Sequence, residues 1–230
     1  MNSAMVSSDV KDGEVNKGFL AFLLHPREDM PLDNRPLSLF RTCCWYFGLN
    51  ILMVVGMAIL VTLDLSPDTG SDSTKDVPLW KVMLILPLVE EFVFRLPLRR
   101  KRWIWTVWAG ITAFMITTLA SGLKIYDMES LVWRLPVAMV VAGWMGWLGW
   151  KWMKKIPFGW LFYGFALMFG LLHLSNFVWG DAITTGTFAF LILYSVDKIT
   201  SGLVLGYARI RHGFWMCVLL HVLNNLPFVV

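Results

Sequence analysis

Eight ionisable residues stand inside long apolar stretches of this chain: Glu90, Glu91, Arg95, Arg134, His173, Asp197, Lys198 and His221. A charge at the centre of a bilayer costs about 2.5–3.5 kcal/mol on insertion scales, so each such residue marks either function or tight pairing. Glu90 and Glu91 fall in PLVEEFVFRLPLR. Neighbours on a helix point about 100° apart, so the two acids cannot share one role. Glu91 and Arg95 stand at i, i+4 and face each other within pairing reach. Two readings are open. In one, Glu91 neutralises Arg95 while Glu90 faces a cavity and handles protons. In the other, both acids only satisfy Arg95.

His173 lies in FGLLHLSNF, and His221 lies in LLHVLNN with Asn225 one turn on. An imidazole and a carboxamide on one face can both donate hydrogen bonds to a developing oxyanion. They can equally act as interhelical glue. Taken together, Glu, His, His and Asn on three segments suggest hydrolysis, with a base, its partner and oxyanion donors. Glu90, His173 and His221 could also bind zinc. They come singly from three helices, however, and spacing does not show that they converge. The other polar residues have plainer readings. Arg134 is near a span end and can snorkel. Asp197 and Lys198 can find partners inside a bundle. His25 and His212 fall in tail and loop and read as surface.

Other membrane hydrolases leave different signatures. The chain has no HExxH zinc motif and no GxSG serine motif, and Tyr126-Asp127 has no GxGD to follow it.

These residues need elements to position them. The 230-residue chain is 57% hydrophobic and only 16% charged, against about 25% charged in ordinary soluble chains. That composition excludes a water-soluble enzyme, a disordered chain and a disulfide scaffold. The three cysteines, Cys43, Cys44 and Cys217, form no CxxC pair. Seven apolar stretches approach the roughly 20 residues a helical span requires: 43–63, 79–98, 103–122, 131–150, 157–177, 183–208 and 213–230. Lipid offers no partner to free backbone groups, so each must be helical. The predicted fold is all-α: a polytopic transmembrane bundle of about seven spans with a polar intramembrane cavity.

The net charge of +4 sits in short basic runs between spans, which read as loop anchors and not as a nucleic-acid surface. Arg27, Arg35 and Arg41 precede the first span. Runs at 99–102 and 151–155 follow the second and fourth, and Arg209 and Arg211 follow the sixth. The intervening loops are acidic or nearly neutral. This alternation predicts a cytoplasmic N-terminus and an outer C-terminus. Residues 1–42 then form a cytoplasmic tail, and 43–230 the bundle. Within the tail, Gly18–Leu24 is too short to span and can lie on the membrane surface or pack on the bundle. Thirteen Trp include many near span ends, Trp105 and Trp150 among them, as an interfacial belt requires. Gly202 and Gly206, with Gly143, Gly146 and Gly149, suit close helix packing.

The pattern of these motifs resembles the CAAX protease and bacteriocin-processing family of glutamic intramembrane endopeptidases. That family carries EExxxR, FxxxH and HxxxN on separate helices. Here they read Glu90-Glu91-Phe-Val-Phe-Arg95, Phe169-Gly-Leu-Leu-His173 and His221-Val-Leu-Asn-Asn225. The resemblance covers about residues 78–230. His212-Gly213 stands where a Thr-Gly turn is usual.

The resemblance implies cleavage of a peptide bond within or at the membrane. Glu90 would activate water with His173 assisting, and His221 and Asn225 would hold the oxyanion. Glu91 and Arg95 would support them, with Glu91 able to share the acid–base work. It implies no cofactor and a membrane-anchored or prenylated protein, or a leader peptide, as substrate. The alternatives are a non-catalytic scaffold on the same fold, and a proton-coupled carrier, which the absence of an internal repeat disfavours.

One geometric conflict stands. On straight helices Glu90 lies ~12 Å from the inner end of its span and His173 ~24 Å from its own, so they would not meet.

Overall fold

The structure is a computed structural model that describes residues 18–65, 78, 80–122, 128–177 and 184–226. The N-terminal tail through residue 17 lies outside the described residues. So do the expected loops at 66–77, 123–127 and 178–183, and the end of the last span from residue 227.

All regular structure among the described residues is helical. A short helix, α1 (Phe19–Leu24), precedes the long α2 (Pro36–Thr62). A π turn, Lys81–Ile85, leads into α3 (Leu86–Phe94), and a 3-10 turn, Leu96–Leu98, follows it. Next come α4 (Arg102–Ser121) and α5 (Met128–Trp144), which runs through a π turn into the short α6 (Trp150–Met153). Then α7 (Phe158–Leu172) ends in the 3-10 turn His173–Asn176. The chain closes with α8 (Thr185–Arg211) and α9 (Phe214–Asn225).

Five of these helical segments are long and apolar enough to cross a membrane: Pro36–Thr62, Arg102–Ser121, Met128–Met153, Phe158–Asn176 and Thr185–Arg211. They match five of the seven expected spans. Within the second and seventh expected spans the described residues form α3 with its π turn and the 12-residue α9, and residues 79 and 227–230 lie outside the described residues. The stretch 79–98 is divided because Pro97 lies within the 3-10 turn and cannot continue the α-helical ladder. The long helices carry exposed apolar side chains, including Leu119, Val132, Val140 and Trp160. So much exposed apolar surface on helices of spanning length points to an integral membrane protein.

The long helix α8 is the axis, with α2, α7 and α9 packed along it. Its glycines permit the approach of α7. A methyl group at Gly202 would meet the Ala166 backbone at 3.1 Å, and one at Gly206 would meet the Phe162 ring at 2.8 Å. Gly170 of α7 answers from the other side, where a methyl group would come 2.9 Å from the Ile199 nitrogen. Along α5 and the π turn that continues it, the expected glycine stripe is only partly used. Gly146 abuts Thr106 of α4, while Gly143 has nothing near it.

The core fills with Phe162, Leu205, Ala208, Ile210 and Leu220, and α1 adds Phe19 and Phe22. Phe22 meets Phe162 edge to face at 5.1 Å, so α1 packs on the bundle. Trp105, expected at the interface, is fully buried against Trp108 at 4.9 Å, on the inner face of α4. Arg134 does not snorkel either. It is fully buried, donates to the Thr118 hydroxyl at 2.8 Å and lies over the Phe114 ring at 5.0 Å.

The ends of α2 and α8 are locked by the segment before α2. Asp33 accepts from Arg35 Nε at 2.8 Å and from Arg211 Nη2 at 2.6 Å, and its backbone N–H donates to the Arg211 carbonyl. His212 was expected at the surface, yet it is 7% exposed, because the folded-back segment covers it. Its Nδ1–H donates to the Asp33 carbonyl at 2.5 Å, and its Nε2 lies 2.8 Å from the Thr42 hydroxyl. The side-chain hydrogen bond from Arg35 holds the Asp33 carboxyl well below the usual carboxylate range.

Burial pushes the His212 imidazole below its usual 6.5, and Arg211 adds to the effect. The unfolded chain then binds the proton more readily than the folded one. The contribution of His212 is therefore intact above pH 6.5 and is lost as the pH falls below it. Thermal unfolding at pH 7.5 and pH 5 is expected to show a drop on acidification that shrinks in His212→Asn, and an equal drop in both proteins would rule this out. At the α7–α8 contact, Gly170→Ala forces the helices apart and is expected to cost about 1–3 kcal/mol of stability in denaturant titration.

Candidate active site

The side chain of Glu91 is fully buried, with one oxygen hydrogen-bonded and the other held only by ion pairing. Oε1 accepts from His221 Nδ1 at 2.8 Å, and Oε2 lies 3.5 Å from Arg95 Nε. The i, i+4 spacing on α3 supplies the second contact, and α9 brings in the first. The Arg95 guanidinium lies 3.9 Å above the Phe169 ring, so the face of an aromatic on α7 shares its charge. The Arg95 carbonyl accepts from Arg209 Nε of α8 at 3.1 Å.

Phe169 also touches both imidazoles edge to face, at 4.5 Å from His173 and 5.8 Å from His221. His173 Nδ1 donates to the Phe169 carbonyl at 2.7 Å, within its own last helical turn. A carbonyl can only accept, so this bond assigns the Nδ1 proton. The ionised Glu91 carboxylate assigns it likewise on His221. In their neutral forms both rings therefore present a bare Nε2. Both Nε2 atoms point at the same oxygen, Glu90 Oε2, at 3.5 Å from His221 and 3.9 Å from His173.

Glu90, His173, His221 and Asn225 line one cavity of about 310 Å³. Glu91 and Arg95 sit behind its wall. The motif residues of α3, α7 and α9 thus meet in space. Among the described residues no group of three His, Cys, Asp or Glu side chains is set to hold a metal ion.

The depth conflict disappears in the backbone between Glu90 and the basic run. Arg100 Nη1 donates to the Ile156 carbonyl at 2.7 Å, so the side chain after α3 reaches the segment before α7. From there to Glu90 the chain is not α-helical throughout. The 3-10 turn Leu96–Leu98 rises more per residue, and Arg99 is extended at φ −90° and ψ 95°. That path can rise up to ~20 Å, where an α-helix would give ~15 Å. The two side chains meet, with His173 Nε2 3.9 Å from Glu90 Oε2.

Several cavity residues carry no motif. Tyr46 of α2 is 1% exposed and lines the cavity from the part of the chain that the family resemblance does not reach. Ser201 lines it too, and its hydroxyl donates to Asn50 Oδ1 at 3.1 Å. Lys198 lines it with its ammonium 3.0 Å from the buried Asp197. Of these, only the Asp197–Lys198 pair had a sequence signal, as charges interrupting an apolar run. Arg134 lies outside this cavity, in its pocket between α4 and α5.

No protein-family model, curated protein or solved structure matches the chain.

Removing Glu91 would leave Arg95 buried without its counter-ion. Glu91→Ala is expected to destabilise the folded protein by about 3–5 kcal/mol, read from unfolding in a fixed detergent. A loss under 1 kcal/mol would show that the Phe169 face alone holds the guanidinium.

Proposed function

We propose that this protein is an integral membrane endopeptidase of the glutamate type, acting as its resemblance to the CAAX protease and bacteriocin-processing family implies. The observation that carries this reading is the convergence of Glu90, His173 and His221 on one carboxylate oxygen inside one cavity. Two bare imidazole nitrogens facing a carboxylate repel one another unless a donor sits among them. At separations of 3.5 and 3.9 Å a bridging water can donate one O–H to Glu90 Oε2 and the other to His173 Nε2, and His221 Nε2 is satisfied by carrying a proton of its own.

In the proposed reaction Glu90 takes a proton from that water while His173 Nε2 orients it. The hydroxide oxygen attacks the scissile carbonyl carbon, and the carbonyl oxygen becomes an oxyanion. Asn225 donates its amide N–H to the oxyanion. His221 does so through Nε2 when that nitrogen carries a proton, with Glu91 behind Nδ1 offsetting the charge. As the C–N bond breaks, the proton held by Glu90 passes to the leaving amine. Arg95 and Phe169 act through Glu91 and the two rings.

In this reading α3 and α9 complete a bundle of seven membrane-embedded helices around a polar intramembrane cavity. The basic ends at Arg35–Arg41, Arg99–Arg102 and Lys151–Lys155 face the cytoplasm, and the C-terminus lies outside. The substrate is a membrane-anchored or prenylated protein, or a leader peptide, whose cleavable bond enters the cavity.

Glu90→Gln keeps the volume and removes the base. Cleaved termini in the membrane proteome of cells making equal amounts of each protein are expected to fall at least about 10²-fold. Termini that stay unchanged would refute the protease and favour a scaffold built on the same helices.

A further inference from the structure

Helix α2 buries Thr42, Tyr46 and Asn50, and each carries a polar group. Their i, i+4, i+8 spacing sets them in one stripe on the bundle side of an otherwise apolar helix. A polar group that a membrane helix turns inward needs a partner there. Thr42 has one, since its hydroxyl lies 2.8 Å from His212 Nε2. Asn50 has two. Its Nδ2 donates to the Tyr46 carbonyl at 2.7 Å, and its Oδ1 accepts from the Ser201 hydroxyl at 3.1 Å. The Tyr46 hydroxyl differs: it bonds to no group among the described residues. The side chain is 1% exposed, yet its oxygen is not sealed off, so that small exposure lies at the hydroxyl. There Tyr46 lines the cavity that holds Glu90.

The ring itself is held in place. Tyr46 shares the main core cluster with Leu205 of α8 and with Cys217 and Leu220 of α9. Phe47 meets it edge to face at 5.4 Å. Leu220 directly precedes His221, so the ring belongs to the same packing unit as the segment that carries His221 and Asn225. Glu90 and His173 offer acceptors to the same cavity, but neither is bonded to the phenol. A buried O–H that faces a cavity with no protein acceptor is a donor for what enters it.

We propose that Tyr46 is a further catalytic residue, a third donor to the oxyanion beside His221 and Asn225. The inference rests on the peptidase reading given above and names a residue outside the part of the chain that the family resemblance covers. A tyrosine hydroxyl is among the side-chain donors that serve oxyanion holes. The scissile carbonyl oxygen brings the acceptor that the protein itself does not supply. The hydrogen bond to it strengthens as the oxygen gains charge, so its benefit falls on the transition state. The phenol keeps its proton throughout. Glu90 takes the proton of the attacking water and passes it to the leaving amine, which also keeps the electron pair of the broken C–N bond.

Tyr46→Phe removes the hydroxyl and keeps the ring. Cleaved termini that Glu90→Gln removes from the membrane proteome supply the sequence of a quenched fluorescent peptide. Purified wild type, Tyr46→Phe and Glu90→Gln are compared on that peptide and in thermal unfolding, all in one detergent. Tyr46→Phe is expected to lower kcat about 10²-fold with KM little changed. Its unfolding midpoint is expected to match the wild type, because the hydroxyl has no protein partner to lose. A kcat like that of the wild type would overturn the third donor while the peptidase reading stands. So would a raised KM at unchanged kcat, which marks a contact made equally in the ground state. A lower kcat that comes with a lower unfolding midpoint would make the phenol structural and overturn the proposal as well. If Glu90→Gln removes no termini, the peptidase reading fails and the third donor fails with it.

Discussion

A carboxylate with no exposure to solvent must have its charge answered on every side, and that requirement at Glu91 organises this bundle. Arg95 answers from the same helix and His221 from α9. The guanidinium that results would itself be stranded, since neither of its Nη atoms has a hydrogen-bond partner. The face of Phe169 on α7 takes it up, and the backbone of Arg95 receives Arg209 from α8. Four helices are therefore tied to one buried charge. Replacing such a cluster with apolar residues need not weaken a fold. What the cluster supplies is placement: Nδ1 of His221 is committed to Glu91, so Nε2 has one direction left, toward Glu90.

Much of this site was legible in the chain, because local rules govern it. The i, i+4 pair, the divergence of adjacent acids and the helical placement of His173 and His221 all follow from helix geometry. Legibility ended where tertiary contact took over. Tyr46 enters the cavity from a helix with no motif, and no local pattern distinguishes it from any other aromatic in an apolar run. His212 looked like a loop residue, and only the return of Asp33 from far along the chain buries it. Arg134 looked able to reach a membrane surface, but a threonine and a phenylalanine on the neighbouring helix hold it inside.

The depth of Glu90 illustrates the same division. Counting α-helical residues misplaced it against His173, since the count assumed one rise per residue throughout. Pro97 brings a short 3-10 turn, and the extended Arg99 follows. A proline is visible in any sequence, but the length it adds to the chain path depends on the conformations its neighbours adopt.

The close seat of α7 on α8 also has a consequence for the geometry of the cavity. Gly202 and Gly206 leave no room for a methyl group against Ala166 and Phe162, and Gly170 leaves none against Ile199. Two helices engaged at three such points cannot slide along one another without a clash between backbones. Phe169 stands beside Gly170, and His173 follows within one turn. The register of the two imidazoles against Glu90 is therefore set as much by the absence of side chains on the far face of α7 as by the hydrogen bonds on the near one.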